Sequence, residues 1–294
     1  MIILYNNIIK EVINLSLVNM SKLLKEAEDN NYGVGAFSVA NMEMVLGAIK
    51  AAEELKSPII LQVAQVRLPY SPLSVFGPLM IAAAKESKVP VAVHLDHGLD
   101  IETVKQALEL GFTSVMIDAS HLTINENIQM VQKVKEFADK YGADVEAEVG
   151  QLAGSEDGSV DHEMLYSDPD EVEKLYQNTH LNAIALSIGN AHGLYKNEPK
   201  LNFEILEEAR KRVPIPLVLH GGSGISDDDF RKCIKGGIRK LNVATATFMS
   251  VEGEVREYCK LDKKDYFTMS ARMVQGAYKN VSRHIEVFQS DNRI

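Results

Sequence analysis

The sequence predicts a (β/α)8 TIM barrel of the α/β class, with extra C-terminal helices. Three observations carry this. Between Gly33 and Val243 the chain repeats one unit eight times: a short β-branched run, a polar tip, then an amphipathic helical pattern. No Pro/Gly/Ser-rich linker divides it, and 294 residues suit a single barrel. No G-x-G-x-x-G follows the first apolar run, so a doubly wound open sheet matches less well.

In order, the expected strands are Gly33–Ser38, Ile59–Val63, Val91–Leu95, Ser114–Asp118, Val145–Val149, Ala183–Ile188, Leu217–His220 and Lys240–Val243. Each is short, rich in Val, Ile or Leu, and bounded by polar or glycine residues, as fully buried parallel strands are. Helical spacing marks Met42–Leu55, Ile101–Leu110, Ile124–Tyr141, Asp170–Asn178, Phe203–Arg212 and Asp227–Gly236. Asp100, Asp168 (before a proline) and Ser226 stand where N-caps belong. Beyond the eighth unit, Tyr278, Val281, Ile285 and Phe288 recur at helical spacing, so Asp265–Phe288 is read as one or two further helices. Gln151–Ser167 has no periodicity and contains acidic residues and glycines, which suits a mobile lid over a barrel mouth.

Residues 20–294 are read as one domain, and residues 1–19 as an N-terminal extension. That extension is apolar, but Asn6, Asn7, Lys10, Glu11 and Asn14 interrupt it and no basic stretch precedes it, so it is not read as a signal peptide. A net charge of −10 speaks against nucleic acid as a partner and leaves room for a small phosphorylated one. No apolar run is long enough for a membrane span. Cys233 and Cys259 form neither a disulfide framework nor a C-x-x-C site, which fits the cytoplasm.

In a barrel the chemistry sits at the C-terminal ends of the strands. Here those ends carry His94, Asp96 and His97; Asp118, Ser120 and His121; Glu146 and Glu148; Asn190 and His192; His220; and Asn242 with Thr245. His97, His192 and His220, on strands three, six and seven, can surround one Zn2+ or another divalent cation. Alternation along the strand turns His94 away from His97, so His94 is read as scaffold. A lone strand-end histidine is commonly just a hydrogen-bonded core residue; three at matching positions favour a metal. Asp96, beside them, can move a proton on carbon next to a cation-polarised carbonyl. HGGSG (His220–Gly224) and NVAT (Asn242–Thr245) are turns after strands seven and eight, where barrels hold phosphate. A metal-dependent hydrolase or epimerase would use the same histidines. A non-catalytic sugar-phosphate-binding subunit would not need Asp96 as well.

HLDHG, GFTSVMIDASH, VEAEVG, GNAHGLY, LVLHGGSGI and NVAT, in this order and spacing, resemble the class II, metal-dependent ketose-bisphosphate aldolases, the fructose- and tagatose-1,6-bisphosphate type. The resemblance implies reversible aldol cleavage of a ketose 1,6-bisphosphate to dihydroxyacetone phosphate and an aldehyde such as glyceraldehyde 3-phosphate. It implies Asp96 as the proton-moving base, His97, His192 and His220 as zinc ligands, and Glu148 at an alternative metal position. It also implies Glu156 as an acidic lid residue in proton transfer. Gly193, Gly221, Gly222, Ser223, Asn242, Val243, Ala244 and Thr245 match the segments that hold dihydroxyacetone phosphate, with a monovalent cation (Na+ or K+) beside its phosphate. Arg272 matches an arginine that meets the second phosphate, often across the interface of a homodimer or homotetramer. Two departures fall on the aldehyde side: AFS with Ser38 where relatives have AFN, and Ala64 where they have serine. An aldolase of this class acting on another ketose phosphate is therefore the alternative.

Overall fold

The structure, a computed structural model, describes residues 16–154, 164–193, 195, 199–263 and 265–294. Eight parallel strands close into a barrel in sequence order. They are β1 (Val34–Ser38), β2 (Ile59–Ala64), β3 (Val91–Gly98), β4 (Ser114–Ile117), β5 (Asp144–Val149), β6 (Ala183–Leu186), β7 (Leu217–Leu219) and β8 (Ile238–Val243). Every strand residue is buried, because helices cover the outside and side chains fill the inside.

The helices are α1 (Met20–Asn30), α2 (Met42–Glu54), α3 (Leu73–Glu86), α4 (Ile101–Glu109), α5 (Ile124–Tyr141), α6 (Pro169–Thr179), α7 (Phe203–Arg212), α8 (Asp227–Lys235), α9 (Thr245–Tyr258) and α10 (Tyr266–Val287). The expected caps are made: Asp100 accepts from the Thr103 N–H, Asp168 from Asp170 and Ser226 from Asp229; Thr123 with Glu126 adds a capping box. Three helices go beyond the sequence reading. The first, α1, precedes the repeat. The second, α3, contains Pro78, a residue that punctuates a pattern read from sequence. The third, α9, begins at Thr245, so the NVAT turn opens a helix.

Strand alternation divides the interior in two. Outward residues such as Leu61, Val93, Val115 and Leu219 join the helices in one large apolar cluster. Inward residues near the strand starts, Val34, Ala36, Ile60, Ala92, Ala183 and Val218, meet Met20, Leu23, Leu24 and Ala27 of α1 in a second. Thus α1 lies across the N-terminal end of the barrel and closes it. The chain joins the fold before α1: the Val91 N–H donates to Ser16 O at 2.7 Å, and Val18 N–H to Val91 O at 2.9 Å. Toward the opposite end the inward residues become polar (Gln62, His94, Asp96, Glu146, Glu148, Lys240 and Asn242), all buried. No described helix is long and apolar enough to cross a membrane.

Candidate active site at the barrel mouth

His97 reaches the mouth through a backbone irregularity. The β3–β4 register runs His94 to Ser114 and Leu95 to Val115, then Gly98 to Ile117, so β3 carries one extra residue. Within that bulge His97 adopts a left-handed conformation, φ +42°. His94 and Asp96, at regular positions, face the barrel interior. The bulge turns the His97 ring over the mouth, where simple alternation would have sent it outward. His94 stays in the scaffold, its Nδ1 2.9 Å from Ser114 Oγ.

The three imidazoles meet there. Each offers a nitrogen, and these atoms lie within 4.8 Å of one another. His97 Nε2 is 2.8 Å from His220 Nδ1, and the His97 and His192 ring centres are 4.8 Å apart. The far nitrogens of the two closest rings point at carboxylates: His97 Nδ1 is 2.7 Å from Asp118 Oδ2, and His220 Nε2 is 2.8 Å from Glu146 Oε1. Carboxylates accept, so both rings donate outward, and two lone pairs converge across 2.8 Å. Such a contact requires something positive between the rings. Burial alone would lower His97, but Asp96, Asp118 and Glu148 outweigh it and hold it well above the usual histidine range. Burial, with His97 beside it, holds His220 well below that range. The gap between these two nitrogens, beside His192, is where a divalent cation would be held.

Glu148 fits the same reading. Burial and the nearby Asp118 push its carboxyl well above the usual range. Its Oε2 is buried without a hydrogen-bond partner and lies 3.8 Å from His220 Nδ1. With His97 and Asp118 it forms a second group able to hold a cation. Asp118 is itself drawn well below the carboxylate range despite its burial, by His97 and Ser120.

Both oxygens of Asp96 accept from amides: Oδ2 from Gln62 Nε2 at 2.9 Å, Oδ1 from Asn242 Nδ2 at 3.1 Å. Gln62 Nε2 also reaches Ser38 Oγ at 3.1 Å, linking Asp96 to β1. Lys240 Nζ sits 2.9 Å from Glu146 Oε2 and donates to Asn242 Oδ1 at 2.7 Å.

The glycine-rich turns divide their roles. Gly221 has φ +63°, and a Cβ there would lie 2.1 Å from Ala191 O, so only glycine fits. The Gly222 N–H donates to Asn242 O at 3.0 Å and braces the turn. Ser223 Oγ accepts from the Ala246 N–H at 2.9 Å, in the first turn of α9. Ala244, the residue before α9, caps nothing with its side chain, but its carbonyl accepts from the Thr247 and Phe248 N–H groups at 2.9 and 3.1 Å, so the helix opens at Thr245. Val243 turns its side chain into the outer apolar cluster. Gly193, with φ +83°, follows His192. A cavity of about 250 Å³ opens beside His97, Asp118, Glu148 and His192.

Arg272 lies apart, half exposed on α10, with Nη1 3.2 Å from Glu254 Oε2. Glu156 lies outside the described residues. Three participants escaped the sequence reading: Gln62, Lys240 and Tyr195. The Tyr195 hydroxyl accepts from the Ala191 N–H at 2.9 Å and donates to Gly221 O at 2.8 Å, tying the loops that carry His192 and His220. Lys240 was detectable: a lysine two residues before Asn242 on one barrel strand must share its interior face.

The family model described as "Fructose-bisphosphate aldolase class-II" matches residues 18–293. The chain belongs to this family. It is accordingly an aldolase, a carbon–carbon lyase. Among its relatives, a fructose-bisphosphate aldolase of Geobacillus stearothermophilus is 41% identical over 255 residues, covering 86% of this chain and 89% of that one. One from Staphylococcus aureus (strain Mu50) is 39% identical over 257 residues, with the same coverage. Among solved structures, the YdjI aldolase of Escherichia coli K12 superposes with a TM-score of 0.85 at 31% identity, covering 94% of this chain and 99% of that one. A putative fructose-1,6-bisphosphate aldolase of Coccidioides immitis gives 0.87 at 28% identity, covering 94% and 97%.

Proposed function

We propose that this class II aldolase cleaves a ketose 1,6-bisphosphate, with fructose-1,6-bisphosphate the first candidate and tagatose-1,6-bisphosphate the second. The products are dihydroxyacetone phosphate and an aldehyde such as glyceraldehyde 3-phosphate. The observation that carries this is the convergence of His97 Nε2 and His220 Nδ1, beside His192, above an Asp96 clamped by two amides. Zn2+ suits a site of three neutral imidazoles, and when bound it supplies Lewis-acid polarisation of the ketose carbonyl.

The chain's own residues do the rest. Gly221, Ser223 and the start of α9 hold the phosphate of the dihydroxyacetone half through backbone N–H groups, with Gly193, Gly222, Asn242, Val243, Ala244 and Thr245 shaping that wall. A monovalent cation beside this phosphate is part of the proposal. Asp96 moves the proton on the dihydroxyacetone half, returning it to carbon in cleavage and removing it in condensation. Glu156 serves proton transfer from the lid. Arg272 of a second copy, in a homodimer or homotetramer, meets the other phosphate after exchanging its Glu254 pair for it. Two free cysteines fit a reducing cytoplasm.

Incubating zinc-loaded protein with each bisphosphate, with and without chelator, and assaying triose phosphate tests the reading. Cleavage of at least one sugar, abolished by the chelator, is expected. Inertness toward both would refute the bisphosphate assignment, and turnover surviving complete metal removal would refute the metal site. Asp96→Asn should bind zinc normally and lose about 10²–10⁴-fold in turnover. A near-normal rate would place the base elsewhere.

A further inference from the structure

We propose that Lys240 is a positioning residue for the reaction, fixing Asn242 against Asp96 and, through Glu146, the tautomer of His220. It rests on the reading of Asp96 as the base. Lys240 and Glu146 are both fully buried inside the barrel, one step deeper along the strands than Asn242 and Glu148. The lysine ammonium donates to Glu146 Oε1 at 3.2 Å as well as pairing with Oε2, and to Asn242 Oδ1 at 2.7 Å.

An ammonium can only donate, so the end of the Asn242 amide that faces it must be the carbonyl. The NH2 end is thereby turned to Asp96 Oδ1, at 3.1 Å. One cation thus decides which way an amide points at the base. Its other partner, Glu146, accepts from His220 Nε2 at 2.8 Å, which leaves the Nδ1 lone pair directed at His97. Without Lys240, Glu146 would be a buried carboxylate lacking its cation, among imidazoles. It would no longer be held in place against His220 Nε2, and the ring would lose the partner that orients it. The bland alternative is that Lys240 only balances the charge of Glu146 so that the barrel folds.

The two roles separate in full-length Lys240→Met, Lys240→Met/Glu146→Gln and Asn242→Ala variants. Four quantities are read: thermal midpoint, zinc affinity against a chromogenic chelator, cleavage kcat and KM, and deuterium exchange into dihydroxyacetone phosphate. Exchange reports the Asp96 step without the aldehyde. Lys240→Met is expected to weaken zinc binding by ~10–100-fold and to slow exchange. In the double variant the amide that replaces the Glu146 carboxylate still accepts from His220, while the unpaired charge is gone. Its melting and zinc affinity should return to within about threefold of wild type, yet exchange and kcat should stay down ~10-fold or more with KM little changed. Recovery of exchange in the double variant would overturn the proposal, because Lys240 would then be only a counter-charge. Asn242→Ala keeps the Lys240–Glu146 pair and should slow exchange to a similar degree. An unaltered exchange rate there would overturn the proposal even if the lysine variants fail to fold. Asp96→Asn is the control for the underlying reading: wild-type exchange in that variant would remove Asp96 as base, a result separate from the fate of Lys240.

Discussion

Gly221 shows how narrowly single residues are specified around this mouth. It combines a left-handed backbone with an approach to Ala191 O that leaves no room for a Cβ, and Tyr195 bridges the same two loops from the other side. Gly221→Ala must displace either the turn after β7 or the loop bearing His192. It is expected to raise KM for the bisphosphate by about tenfold or more while the far-ultraviolet circular dichroism stays that of the native barrel; an unchanged KM would show that the turn does not contact the substrate. At this scale the sequence was informative where chemistry is concentrated, in the histidines and Asp96. It was silent where a residue matters through its partners. Gln62 looked like one polar residue in a strand, and nothing local announces that its amide holds Asp96. His97 could be named but not aimed, because a one-residue bulge is invisible in an alternating pattern.

Among the elements, α10 offers a test of buried chemistry away from the mouth. His284 packs among Phe37, Phe230 and Phe288, and its Nδ1 donates to Asn280 O at 2.8 Å. Burial, reinforced by Arg283, lowers its pKa from 6.5 to about 4, although Asn280 opposes the shift. The folded protein therefore keeps this ring neutral while the unfolded chain takes up a proton as pH falls below about 6.5. The corresponding stability is present above 6.5 and lost progressively toward pH 4, by about 2 kcal/mol at pH 5. His284→Leu should be less stable than wild type at pH 7 and lose about 2 kcal/mol less between pH 7 and pH 5, by urea unfolding. Equal losses would mean that the ring is protonated in the fold. Element boundaries were largely legible because caps such as Asp100 and Ser226 are local signals. The exceptions have local causes too: Pro78 interrupts the pattern of α3, and the start of α9 was masked by its own function as a turn.

For the whole molecule, metal occupancy and stability should be linked. His97 and His220 confront each other across 2.8 Å with lone pairs that a cation satisfies, and strands β3 and β7 together with the loop after β6 meet at that point. A ligand bound only by the folded state adds stability as RT ln(1 + [L]/Kd), about 4 kcal/mol at a thousandfold excess over Kd. Stripping the divalent metal should therefore lower the melting temperature by several degrees, restored on re-addition of zinc. His220→Ala should melt at the same temperature with and without zinc; a shift equal to that of wild type would place the cation elsewhere. Eightfold repetition made the barrel legible from sequence, since every unit said the same thing. The mouth was legible only as a list of residues, because its geometry depends on which interior neighbours face one another around the ring.

The closure of the barrel by α1 has a kinetic consequence. With side chains filling the interior and Met20, Leu23 and Leu24 packed across the strand starts, the mouth is the site's opening to solvent. Both cleavage fragments must leave by the route the sugar entered, and if one is seated deeper it departs only after the other has cleared the rim. Sequential release is the expected outcome, checked by product-inhibition patterns against the sugar. The last fragment out competes directly with the sugar for the empty enzyme, whereas inhibition by the first is not relieved by raising the sugar concentration.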